Sequence, residues 1–229
     1  MSKILALVGY TKTGKDEFAR DVTEKKLQYD TTPKNAKWII YSQGDQELQK
    51  ILLYSAKRYA FADALKLFTH EKLGLQNCAA NTFENVKDSC WFVDPESPER
   101  YNTIRDYYKF YGDQEKSKNI SIWRDVVSKQ IEADSKSNNL AIVTDFRYPC
   151  EVLENQISLR LFRSIVPIPH PDIHSEHNLD KLMTDYLLVP SEEDFRTALY
   201  LFPQYADFKQ MGFLVSEKVS LTSDVVVKS

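Results

Sequence analysis

Cysteine is scarce in this chain: Cys78, Cys90 and Cys150 are the three in 229 residues, and no two are closely spaced. An odd, scattered set excludes a disulfide framework and a zinc ribbon, and leaves buried or incidental thiols. Long apolar runs are lacking too. No stretch approaches the roughly 18 residues that span a bilayer, and the N-terminus enters a strand without a signal-peptide pattern, so a cytoplasmic protein with no membrane partner is expected. Nor does one sign of charge dominate. With 30 Lys and Arg against 33 Asp and Glu the formal net charge is −3, which gives no electrostatic case for a nucleic acid polymer or an anionic membrane as partner. Any recognition of phosphate must be local. There is no internal repeat. The 42% apolar content is enough for one sizeable core, so residues 1–229 are expected to form a single domain with insertions.

What is present begins with Ile4-Leu5-Ala6-Leu7-Val8, an apolar run that leads into Gly9-Tyr10-Thr11-Lys12-Thr13-Gly14-Lys15-Asp16. This reads as a strand entering a phosphate-binding loop of the form G-x-x-x-x-G-K. A triphosphate needs several backbone N–H groups converging on it, and Gly9 and Gly14 can take backbone angles that side chains obstruct. Lys15 would lie on the β- and γ-phosphates. The stretch after it is amphipathic, with Phe18, Val22 and Leu27 as inward positions, so the anion would also meet a helix N-terminus. Gly9, Lys12, Thr13, Gly14, Lys15 and Asp16 are therefore the candidate ATP contacts. Asp16 stands where the usual pattern has Ser or Thr; a carboxylate is a hard-oxygen ligand and could hold Mg²⁺ directly or through water. The plainer alternative is a Gly/Lys turn on a surface helix.

Further along, Trp38-Ile39-Ile40-Tyr41 reads as a short strand and residues around 46–53 as helix. Residues 58–63 have strand character, and Phe61, Ala64, Leu65 and Phe68 recur at helical spacing. An excursion around 75–125 is expected to cover a substrate, with helical stretches near 104–110 and 122–131. Leu140-Ala141-Ile142-Val143-Thr144 reads as a central parallel strand, followed by strands at 159–163 and 186–189 and a helix capped by Ser191. The segment after about Lys209 stays unplaced; Val225-Val226-Val227 suits an edge strand or a partner contact. Strands alternating with helices predict an α/β doubly wound central parallel sheet with helices on both faces.

Five segments then occur in a telling order: Gly14-Lys15-Asp16; Phe61-Ala62-Asp63-Ala64-Leu65-Lys66; Arg105 to Gly112; Thr144-Asp145-Phe146-Arg147 with Glu151; and His174-Ser175-Glu176-His177-Asn178-Leu179. In that order the chain resembles the P-loop deoxynucleoside monophosphate kinases of bacteriophages and large DNA viruses, and more distantly phosphomevalonate kinase. The resemblance implies a P-loop NTPase-type three-layer fold, ATP and Mg²⁺ as cofactors, a nucleoside monophosphate as substrate, and the host cytoplasm as location if the source is viral. A phosphorylated metabolite as acceptor and a non-catalytic nucleotide-binding regulator are the alternatives. A homodimer is the oligomeric state allowed for.

Phosphoryl transfer needs two phosphates in line, water excluded and positive charge on the migrating group. Lys15 serves the donor side. Arg105, Arg147 and Arg163 are candidates to hold the acceptor phosphate or bridge donor and acceptor, since guanidinium grips phosphate bidentately. Each has a plainer role open to it: a solvated helix residue, a partner of Glu151, and a surface residue at a strand end. Asp145, at the end of the central strand, could address Mg²⁺, accept from the acceptor's sugar, or cap a turn. Asp63 divides between a cap and a function. His170, His174 and His177 are read as part of a lid-like loop around 164–184, because two prolines and the missing cysteine do not suit a zinc site.

Overall fold

The computed structural model describes residues 3–32, 35–44, 47–75, 77–89, 103–135, 140–168, 178 and 180–216. Among the described residues eight strands form one sheet: β1 (Lys3–Val8), β2 (Leu27–Asp30), β3 (Trp38–Ser42), β4 (Ala56–Tyr59), β5 (Leu140–Val143), β6 (Gln156–Leu161), β7 (Tyr186–Val189) and β8 (Lys209–Ser216). Their order is β2-β8-β3-β7-β6-β1-β5-β4.

The predicted P-loop NTPase-type fold with a central parallel sheet is not what forms. The sheet is mixed and curls as a half-barrel. β4, β5, β1, β6 and β7 run parallel to one another, whereas β3 is antiparallel to β7, β8 to β3 and β2 to β8. The segment left unplaced after Lys209 supplies β8, an interior strand. Close approach makes this pairing specific: a Cβ on Gly212 would lie 2.6 Å from the Tyr29 hydroxyl, which donates to the Met211 carbonyl at 2.7 Å. Leu27, expected on the first helix, opens β2 instead.

β1, β5 and β7 are apolar on both sides because helices cover both sides. Leu5, Leu7, Ile142 and Leu188 share one core with Phe18 and Val22 of α1 (Lys15–Thr23) and Leu48 and Ile51 of α2 (Glu47–Ile51). On the other face, Val8, Ala141 and Val143 meet Phe61 and Ala64 of α3 (Phe61–Lys72) and Trp123, Val127 and Ile131 of α5 (Ile122–Asp134). Further along that face, Leu187 and Val189 pack with Ala198 of α6 (Glu192–Leu201). α4 (Ile104–Lys118) begins with a capping box between Thr103 and Asp106, and α6 with Ser191 accepting the Asp194 N–H at 3.1 Å. Among the described residues no helix is long and apolar enough to cross a membrane. His170, His174, His177, Cys90, Val225, Val226, Val227 and residues 169–177 and 179 of the lid-like loop lie outside the described residues.

Candidate functional site

The loop joins the end of β1, an interior strand between β5 and β6, to α1. Three of its residues have positive φ: Gly9 at 147°, Lys12 at 70° and Gly14 at 101°. Gly9 is further required by space, since a Cβ there would lie 2.5 Å from the Leu161 carbonyl oxygen. Gly14 is the N-cap of α1, and no side chain caps that helix. An uncapped helix start keeps its dipole and first N–H groups available to an anion. Lys15 Nζ donates to the carbonyls of Gly9 (2.6 Å) and Tyr10 (2.7 Å), which folds it across the base of the loop. Buried Thr13 holds the turn by donating from its hydroxyl to the Tyr10 carbonyl at 2.8 Å. Lys12 is exposed.

Arg163 flanks the same loop. Its guanidinium would meet a Gly14 Cβ at 3.3 Å, lies 4.5 Å from the Trp38 ring centroid, and reaches Glu17 at 3.5 Å. Its Nε is buried with no partner among the described residues. A cation held by a ring face and a longer ion pair keeps donors for an incoming anion.

Asp145 and Arg147 follow β5 and line a cavity of about 220 Å³ with Phe61, Trp123, Tyr148 and Glu151. Lys109, Asp113 and Lys116 of α4 also face it. The Trp123 indole N–H is a buried donor without a partner among the described residues. Asp145 accepts the N–H groups of Phe61 (2.8 Å) and Ala62 (2.6 Å), one on each carboxylate oxygen. It thus caps the start of α3, which the sequence could not show because the two segments lie more than eighty positions apart. Burial pushes its carboxyl pKa up, and the two N–H bonds oppose that shift. Glu151, almost fully buried, accepts the N–H groups of Arg147 and Tyr148, and burial raises it to about 7. Burial likewise raises the Tyr108 phenol to about 12.

Arg105 is not brought to this site. At the start of α4 it pairs with Asp88, with Nη2 donating to Oδ2 at 2.9 Å, and it does not line the cavity. Arg58 was missed by the sequence reading: it donates to Asp16 (3.2 Å) and Asp63 (2.7 Å) and so spans the starts of α1 and α3. Its only sequence signal is strand alternation, which places it on the α1 side of β4.

Among the described residues no group of three His, Cys, Asp or Glu side chains could hold a metal ion. Mg²⁺ bound with a nucleotide keeps waters and phosphate oxygens and needs only one or two carboxylates. Asp16, with a side chain 77% exposed, suits that use. Asp145, with both oxygens already engaged by α3, suits it less well. Compared with protein-family models and with curated proteins, the sequence matches none.

Proposed function

We propose that this chain transfers the γ-phosphoryl group of ATP to a nucleoside 5′-monophosphate, foremost a deoxynucleotide, giving the diphosphate. The observation that carries the reading is the loop at the end of β1: three positive-φ residues, an uncapped helix start and a lysine folded across its base. Such a loop suits a chain of phosphates better than any other common ligand.

On this reading Lys15 leaves the Gly9 and Tyr10 carbonyls to contact the β- and γ-phosphates. Arg163, against Gly14, spreads positive charge over the migrating group, and Arg147 holds the acceptor phosphate. Trp123, Tyr108 and Tyr148 give the acceptor aromatic walls, and Asp145 shapes that cavity by holding α3. Asp16 would hold a Mg²⁺ that arrives with ATP, and that ion would supply positive charge to the phosphates.

The test is coupled detection of ADP with ATP and Mg²⁺ against deoxy- and ribonucleoside monophosphates and phosphomevalonate, with Lys15→Ala as control. Turnover on a nucleotide that Lys15→Ala abolishes is expected. Turnover on phosphomevalonate alone would move the acceptor to a small phosphorylated metabolite. ATP binding without turnover on any acceptor would leave a non-catalytic nucleotide binder.

A further inference from the structure

We infer that Arg58 is a positioning residue that sets the Asp16 carboxylate for the nucleotide-bound cation, an inference that rests on the ATP-dependent reading above. β4 is an edge strand, and Arg58 stands opposite Ile142 of β5. Ile142 belongs to the core packed by α1. Alternation along the strand therefore sends Arg58 toward α1 and Tyr59 to the opposite face, where its hydroxyl donates to Asp134 at 2.9 Å.

Both ends of the guanidinium are engaged. Nη1 donates to Asp63 Oδ2 at 2.7 Å, and Nε donates to Asp16 Oδ1 at 3.2 Å. Asp63 lies in the first turn of α3, whose leading N–H groups Asp145 holds, so the Asp63 end is anchored to the wall of the cavity. The Asp16 end is the looser contact and uses one of the two carboxylate oxygens. Exposure follows the same gradient, with the Asp63 side chain at 33% and Asp16 at 77%.

An exposed aspartate in the first turn of a helix samples several rotamers, whereas this one is drawn toward β4 and the start of α3 by a guanidinium that Asp63 also holds. Partners that orient a cation's ligand typically contribute 10–100-fold in cation affinity. Arg58 thereby couples the loop that takes the triphosphate to the helix that borders the acceptor cavity.

The test is calorimetric binding of ATP with Mg²⁺ and with EDTA, whose ratio is the cation's contribution, alongside turnover. In Arg58→Met the ratio should fall about tenfold, with ATP affinity in EDTA within about twofold of wild type. Asp16→Asn should lower it similarly, the double variant should fall no further, and Arg58→Lys should restore part of it. Asp63→Asn, which frees the anchored end, gives the same reading if Arg58→Met does not fold. Equal loss of ATP affinity with and without Mg²⁺, no change in the ratio, or additive losses in the double variant would overturn the role of Arg58. A wild-type protein that prefers ATP with Mg²⁺ yet turns over no acceptor would overturn the transfer reading alone.

Discussion

Glu151 accepts the backbone N–H of Arg147 at 2.8 Å, and its carboxylate thereby fixes the turn that carries Arg147 along the cavity wall. The same oxygen accepts the Tyr148 N–H at 2.9 Å. A buried carboxyl in this position ties the geometry of the cavity to pH.

Burial raises Glu151 from its ordinary 4.5 to about 7. Between those values the folded protein holds a proton that the unfolded chain has released, so stability falls as pH rises from about 4.5 to 7. The full cost above that window is on the order of 3 kcal/mol. Glu151→Gln keeps an acceptor oxygen without the charge and should be more stable than wild type at pH 8. Urea unfolding of both proteins from pH 4.5 to 8 isolates Glu151 from Asp145. A difference between them that does not change with pH would mean that Glu151 titrates like an exposed carboxylate.

Gly9→Ala should lose roughly 1–3 kcal/mol of stability, because its Cβ meets a backbone oxygen at 2.5 Å rather than a side chain that can move. Gly14→Ala should lose less, since the nearest atom is the movable end of Arg163 at 3.3 Å. Thermal unfolding of the two variants tests this order, and the reverse order would contradict it.

Arg147 and Arg105 separate by location. Arg147→Ala should reduce turnover about 10²-fold while ATP binding stays within about twofold, as for loss of a guanidinium that positions the acceptor phosphate. Arg105→Ala should leave turnover within about twofold, because its partner is Asp88 on the surface. Steady-state kinetics on both variants, with ATP titrated separately, would show whether the two arginines exchange roles.

Arg160 predicts a stability effect with no part in the chemistry. It is 2% exposed, donates from Nε to the Tyr205 hydroxyl at 2.9 Å and from Nη2 to the Leu182 carbonyl at 3.2 Å, and lies 4.4 Å from the Phe202 ring centroid. Arg160→Ala should cost roughly 3–5 kcal/mol through the void and the unpaired groups it leaves. Tyr205→Phe, which removes one partner, should cost about 1–3 kcal/mol. Denaturant midpoints would test both; an Arg160→Ala protein as stable as wild type would show that the site collapses without penalty.

The loop was legible because its requirements are local. A glycine that must take positive φ, a second glycine opening a helix and the lysine after it lie within a few residues, and an apolar run before them marks a buried strand. The runs at 140–143 and 186–189 were legible for the same reason. Asp145 and Asp63 were visible as chemistry but not as partners, since what each touches is set by segments brought together only in the fold.

By itself the sequence determined the glycine turn between β1 and α1, the buried strands beside it and the helices that follow, through backbone conformation and apolar spacing that act over a few residues. Tertiary structure alone decided the direction in which strands pair, and with it the mixed sheet: β8 enters between β2 and β3 by hydrogen bonds with segments more than 160 positions away. It also decided what each arginine touches. Arg105, Arg147 and Arg163 stand out in the sequence and Arg58 does not, and only the folding of β4 against α1, α4 against Asp88 and β6 against the loop gives each its partner.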